Sequence, residues 1–228
     1  MRESHVLKLH GFPSSNYVNM VNLALLEKGI PYEYVLTFPD QSEDLLARSP
    51  RGKLPCISTP DGYVNEASVI LEYLEDLGQG TRLLPAEPYA RAYVRSLIKE
   101  IELYIELPAR TCFLEAFFGG TVPEPVKALA RDNLVAGFAA LKRHGKFAPY
   151  VAGATFTLAD IVFLYSVDLA NAVAMKCFGR DLLGENPPMV ALLGKLNENP
   201  HVQKIARTRD AANPAFIAGI RKKLGLEP

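Results

Sequence analysis

Apolar and polar positions follow one rhythm up to residue 78 and another beyond it. The first stretch mixes short apolar runs with helical stripes. Val6 to Leu9 reads as a short strand, Gly11 to Asn16 as a tight polar loop, Tyr17 to Lys28 as a helix and Tyr32 to Thr37 as a second strand. Val18, Val21 and Leu25, with Ala24 beside them, give that helix one buried face. Gly29 followed by Ile30 and Pro31 stops it, because Gly tolerates the left-handed conformation and the residue before Pro avoids the helical region. Strand, helix and strand in so short a span predict a βαβ unit with parallel strands.

Asp40 to Ser49 is polar apart from Leu45 and Leu46, which predicts a short helix. In Arg51 to Ile57, Pro55 lacks the ladder N–H of an ordinary central strand and needs a special reason to be there. Thr59-Pro60-Asp61-Gly62 is a turn that joins Cys56–Ser58 to Tyr63–Asn65 as an antiparallel hairpin. A helix follows with Val69, Ile70, Tyr73, Leu74 and Leu77 on one face, closed by Gly78.

Gly78 to Pro88 is a Gly- and Pro-punctuated connector, and beyond it no strand pattern occurs. Val94, Leu97, Ile98, Ile101 and Ile105 predict a helix over Tyr89 to Phe118, kinked at Pro108. Pro125 suits the first turn of the next helix, whose apolar face is expected at Val126, Leu129, Leu134, Phe138 and Leu141. Thr157-Leu158-Ala159-Asp160 forms a capping box with Asp in place of Glu and opens a helix apolar enough to be central to its domain. Helices near Met189–Asn197 and His201–Thr208 follow, then a short one over Pro214–Leu224. The expected organisation is an α/β domain over 1–78, a linker over 79–88 and an all-α domain over 89–228.

Composition narrows the function classes. The chain has 25 basic and 25 acidic residues, so no net field favours nucleic acid or an anionic membrane. Met1 to Lys8 alternates polar with apolar residues and no stretch reads as a membrane span, which predicts a soluble, cytoplasmic protein. Cys56, Cys112 and Cys177 are far apart and are expected as free thiols in a reducing compartment. His5, His10, His144 and His201 lack ligand spacing, so no metal site is expected. Motifs of serine hydrolases, P-loops and dinucleotide-binding folds are absent.

The candidate chemistry comes from three loops of the first domain: the helix start at Ser14–Tyr17, the Leu54-Pro55 step, and the helix start at Glu66-Ala67. A cis Leu54-Pro55 bond would leave the Leu54 main chain free to pair with a peptide. Glu66 can receive an ammonium and the N–H groups of Ala67 and Ser68 a carboxylate, which suits an amino-acid zwitterion. A serine hydroxyl at the first helix start can hydrogen-bond a substrate thiolate, and the helix end lowers a thiol pKa from about 8.5. These requirements describe a thiol-bearing peptide with a free α-amino acid end, for which glutathione is the obvious candidate.

The segments GFPSS, KLPCI, NEASVILEYLE and FTLADI, in this order, resemble a cytosolic glutathione S-transferase of the serine type, bacterial-like, over essentially the whole chain. The resemblance implies a thioredoxin-like N-terminal domain, an all-helical C-terminal domain and a homodimer. It also implies glutathione as co-substrate and a small hydrophobic electrophile as the second substrate, in a role such as detoxification. On the family pattern Ser15 matches the activating serine, Pro55 the cis-proline and Leu54 its main-chain partner. Glu66 matches the acidic residue of a Glu-Ser pair, and Thr157 and Asp160 match a cap motif used for folding. Ala67 stands where the family usually has serine, a lost hydroxyl worth about 0.5 to 1.5 kcal/mol of affinity. Position 15 is not cysteine, which argues against the classes that form a mixed disulfide with glutathione.

Other readings stand beside these. Ser14, Ser15 and Asn16 are also good helix caps, and Ser14, Asn16 and Tyr17 compete with Ser15 for the sulfur. Lys53 fits either the glycyl carboxylate of glutathione or a solvated surface lysine. Phe12, ahead of Tyr104, Phe113, Phe117 and Tyr165, is the aromatic residue expected to line an apolar pocket. Two alternatives to conjugation remain: glutathione-dependent reduction of disulfides or peroxides, and a non-catalytic binding module on the same fold.

Overall fold

A computed structural model describes residues 6–226. Residues 1–5, which hold His5 and most of the alternating N-terminal stretch, and residues 227–228 lie outside the described residues. The chain divides into two compact units, one of Met1–Leu83 with Pro200–Ala211, the other of Leu84–Asn199 with Ala212–Pro228.

The first unit is built on a four-stranded sheet of order β2-β1-β3-β4, with β1 at Leu7–Gly11, β2 at Tyr32–Leu36, β3 at Cys56–Thr59 and β4 at Gly62–Asn65. β1 and β2 are parallel, as a βαβ unit requires, and β3 is antiparallel to both β1 and β4. Helices α1 (Asn16–Lys28), α2 (Glu43–Arg48) and α3 (Ala67–Asp76) complete the unit. This is a thioredoxin-like arrangement. Gly29 caps α1 at φ 66, the left-handed conformation anticipated from Gly-Ile-Pro. α3 buries Ala67, Ile70, Leu71 and Leu74, whereas Val69, expected on that face, is 52% exposed. The face is set by the i, i+3, i+4, i+7 row that begins at Ala67, and a small residue carries little weight in an apolar pattern.

Lys28, the last residue of α1, is buried against Glu75 of α3 with Nζ–Oε1 at 2.6 Å. The same ammonium donates to the Thr81 carbonyl at 2.9 Å, and Glu75 Oε1 accepts the Leu83 N–H at 3.0 Å. One ion pair thus ties two helices to the segment that leaves the unit.

The second unit is helical: α4 (Pro88–Ile101), a π-helical turn over Glu102–Glu106, α5 (Leu107–Arg110), α6 (Phe113–Phe118), α7 (Glu124–His144), α8 (Leu158–Phe178) and α9 (Pro187–Asn197). The long helix expected over Tyr89–Phe118 is therefore broken, and the break begins before Pro108. Pro108 has no N–H to donate, and the turn ahead of it widens to π geometry. α7 packs on that turn through Gly137, where a Cβ would meet the Tyr104 carbonyl oxygen at 2.3 Å. The buried face of α7 is Ala130, Leu134, Gly137, Phe138 and Leu141, so Val126 and Leu129, 38% and 65% exposed, are not part of it.

α8 has the capping box read from its sequence. Asp160 accepts from the Thr157 N–H and from the Val151 N–H, each at 2.8 Å, and Thr157 Oγ1 accepts the Ala159 N–H at 3.3 Å. By length and hydropathy alone α8 is long and apolar enough to cross a membrane, but 78% of its most apolar window is buried inside the protein. It is the central helix of this unit. α10 runs unbroken over Pro200–Lys223, correcting the expectation of two separate helices, with Pro214 inside it. Pro214 forfeits a single bond, to the Asp210 carbonyl, and Asp210 is exposed to water that can replace it.

Candidate active site

Strand register explains why three loops distant in sequence meet. His10 pairs with Cys56 and Cys56 with Asn65, so β1 ends, β3 begins and β4 ends in one row across the sheet. Adjacent strands lie about 4.8 Å apart. Phe12–Ser15, Leu54–Pro55 and Glu66–Ala67 therefore leave the same end of the sheet, all within the first unit.

The first loop is a rigid turn. Ser15 N–H donates to the Phe12 carbonyl at 3.1 Å, and Asn19 Nδ2 donates to the Pro13 carbonyl at 2.9 Å. Gly11 lets α1 approach the end of β1, since a Cβ there would lie 2.4 Å from Val18 Cγ1. Ser15 is the N-cap of α1, with extended backbone, and its Oγ accepts the Val18 N–H at 3.3 Å. A hydroxyl that accepts from the helix still has its own proton to donate outward. Capping and thiolate binding are thus compatible in one side chain. Ser14, Ser15 and Tyr17 are half-exposed, whereas Asn16 is buried.

In the second loop the Leu54–Pro55 peptide is cis. Among the described residues, the Leu54 main-chain N–H and C=O have no hydrogen-bond partner. Lys53, just before it, is exposed, and its carbonyl accepts Ser49 Oγ at 2.7 Å.

Glu66 opens the third loop at φ 64 and ψ 122, a conformation that costs a residue with a side chain about 1 to 3 kcal/mol. No side chain caps α3, so the first-turn N–H groups of Ala67 and Ser68 stay open beside the exposed Glu66 carboxylate. Negative carboxylate beside open N–H groups is complementary to an α-ammonium and α-carboxylate pair.

Behind these loops lies a polar cluster that periodicity does not reveal. Arg48, in the last turn of α2, pairs with Asp44 and places Nη1 3.3 Å from His10 Nδ1, while His10 Nε2 is 2.7 Å from Ser58 Oγ. A guanidinium only donates, so Nδ1 accepts and Nε2–H donates to the serine. Burial first, then the charges of Arg48 and Lys8, hold His10 below its ordinary pKa. The Arg48 carbonyl accepts Asn65 Nδ2 at 3.0 Å. Isolated polar residues such as Arg48 and Asn65 carry no sequence signal of this kind.

Cys56 is fully buried in β3 and its thiol is pushed up to about 11, chiefly by burial, so it is a poor nucleophile. Phe12 is 9% exposed and stacks on Phe38, ring centroids 5.4 Å apart. In the second unit Phe113 and Phe117 meet edge to face at 5.1 Å, Tyr165 is buried and Tyr104 is exposed. Among the described residues no cluster of His, Cys, Asp and Glu is disposed to hold a metal ion.

A thioredoxin-like unit whose cis-proline loop and open helix starts share one sheet end, joined to an all-helical unit, defines a class of peptide-thiol-binding proteins. Comparison with known proteins makes the class specific. The family model described as "Glutathione S-transferase, N-terminal domain" matches residues 9–82, and that described as "Glutathione S-transferase, C-terminal domain" matches residues 124–193. A glutathione S-transferase of Pseudomonas putida is 55% identical over 95% of this chain and 98% of its own. Glutathione S-transferase U2 of Arabidopsis thaliana is 28% identical over 94% of this chain and 99% of its own. Among solved structures, glutathione transferase F7 of Populus trichocarpa superposes with a TM-score of 0.74 at 22% identity, covering 90% of this chain and 99% of that one, a likeness of fold. The chain belongs to the glutathione S-transferase family.

Proposed function

We propose that this protein is a glutathione transferase that conjugates glutathione to a small hydrophobic electrophile, with Ser15 as the donor to the thiolate. In this reading Glu66 takes the α-ammonium of the γ-glutamyl residue, and the Ala67 and Ser68 N–H groups take its carboxylate. Leu54 pairs with the cysteinyl main chain, with Pro55 holding that loop, and Lys53 answers the glycyl carboxylate. Phe12 lines the electrophile side. The thiol proton leaves to water, the sulfur lone pair forms the C–S bond, and the electrophile expels its leaving group with the bonding electrons. Proximity and thiolate stabilisation supply the rate.

The observation that carries this reading is the Ser15 hydrogen bond. Its Oγ accepts the Val18 N–H, which leaves the hydroxyl its own proton to donate, at the sheet end that also carries the unpaired Leu54 main chain. Of the three cysteines only Cys56 lies in the first unit, and it is buried, so the thiolate of either reaction, conjugation or disulfide reduction, is glutathione's own. Assay with an aromatic chloride and, in parallel, a mixed disulfide separates the two; turnover of the disulfide alone would overturn conjugation. A homodimer, a cytoplasmic location and a detoxifying role complete the proposal.

A further inference from the structure

Asn65 ends β4 and leads directly into Glu66, the residue held at φ 64. Its Nδ2 donates to the Arg48 carbonyl at 3.0 Å, whereas its Oδ1 is buried without a hydrogen-bond partner. An apolar side chain of the same size would remove the cost of that oxygen but leave the Arg48 carbonyl without its donor, so stability alone gives asparagine little advantage at this position.

Arg48 is fixed in turn. Its guanidinium sits between Asp44 and His10, and His10 is bonded to Ser58, so α2 is tied to both β1 and β3. The residue after Arg48 binds the other wall: Ser49, itself buried, donates Oγ to the Lys53 carbonyl at 2.7 Å, one residue before Leu54. The end of α2 is therefore bonded to both the Leu54 loop and the Glu66 loop, beside the Cys56–Asn65 pairing that joins them within the sheet.

We propose that Asn65 and Arg48 are positioning residues for glutathione, setting the Glu66 carboxylate and the first turn of α3 at the correct separation from the Leu54 main chain. Neither touches the substrate. The inference rests on the reading that Glu66 and Leu54 hold glutathione.

The test is Asn65→Leu in the full-length protein, beside Glu66→Gln as control. Asn65→Leu exchanges an unpaired side-chain oxygen for an unpaired Arg48 carbonyl, so it is expected to move the melting temperature little and to raise the KM for glutathione about five- to tenfold, the equivalent of one net hydrogen bond. Its kcat and its KM for the electrophile should stay within about twofold. With cysteinylglycine, a thiol lacking the γ-glutamyl group, wild type and variant should be equally efficient. Arg48→Ala keeps the carbonyl but frees α2 from His10, and a smaller rise in the glutathione KM is expected. If Glu66→Gln raises the glutathione KM and Asn65→Leu does not, or if Asn65→Leu only lowers the melting temperature, the positioning role is overturned. If Glu66→Gln also leaves the glutathione KM unchanged, the reading of the site fails and takes the positioning role with it.

Discussion

At the scale of single residues the site spends stability on geometry. Glu66 keeps a side chain where only glycine is comfortable, and Asn65 keeps a buried oxygen unpaired. Glu66→Gly is therefore expected to stabilise the fold by up to about 1 to 3 kcal/mol while weakening glutathione by about 1.5 to 3 kcal/mol, the worth of a hydrogen bond to a charged group. Thermal denaturation and calorimetric titration check the two signs; a variant that both melts earlier and binds as tightly would contradict them. Ala67 has the opposite character, because nothing there is strained and a hydroxyl is simply missing. Ala67→Ser is expected to tighten glutathione by about 0.5 to 1.5 kcal/mol in the same titration.

At the scale of elements, two buried charges hold helices in place. Lys28 and Glu75 have side-chain exposures of 2% and 5%. Lys28→Met leaves Glu75 buried without its cation and is expected to cost about 3 to 5 kcal/mol, read from denaturant unfolding. Asp160 is buried in the cap of α8, and burial raises its carboxyl to about 6 against the pull of its N–H donors. An unfolded aspartate titrates near 3.9. Between these values the folded state keeps a proton that the unfolded chain has released, so this group's stabilisation is present below about pH 4 and is lost as pH rises through about 6. The loss is about 3 kcal/mol. Asp160→Asn should remove that slope and lower stability above about pH 6, where the amide offers one acceptor and the carboxylate offers two.

Those elements also show what the sequence discloses and what it withholds. The capping box, the βαβ unit, the hairpin and the stop at Gly29 depend on local chemistry, and each lies where the pattern puts it. The buried faces of α3 and α7 are legible in part, through Ile70, Leu74, Leu134, Phe138 and Leu141, but Ala67, Ala130 and Gly137 pack by being small, and an apolar pattern weights large residues. α10 passes through Pro214 because one lost bond at an exposed carbonyl is tolerable. In the site, Ser15, Leu54-Pro55 and Glu66 were legible as loop and cap residues. The contacts of Arg48, Asn65 and Lys28 were not, since each depends on a partner distant in the chain.

At the scale of the whole molecule, the chain belongs to the glutathione S-transferase family and brings three loops to one sheet end, and the proposal to be tested there is that Ser15 holds the glutathione thiolate. Ser15 is also a helix cap, so any variant must separate the two roles. Ser15→Ala is expected to cost about 1 kcal/mol of stability, and Ser15→Gly only a few tenths, because glycine is a tolerated cap. Both remove the same hydroxyl. The deciding measurement is the pH dependence of turnover at saturating glutathione for the wild type and these two variants. The thiol pKa is expected below 8.5 in the wild type and shifted upward by the same amount in both variants, whatever their difference in stability. A Ser15→Gly enzyme with the wild-type pH profile and rate would contradict the claim and leave Ser15 as a helix cap alone.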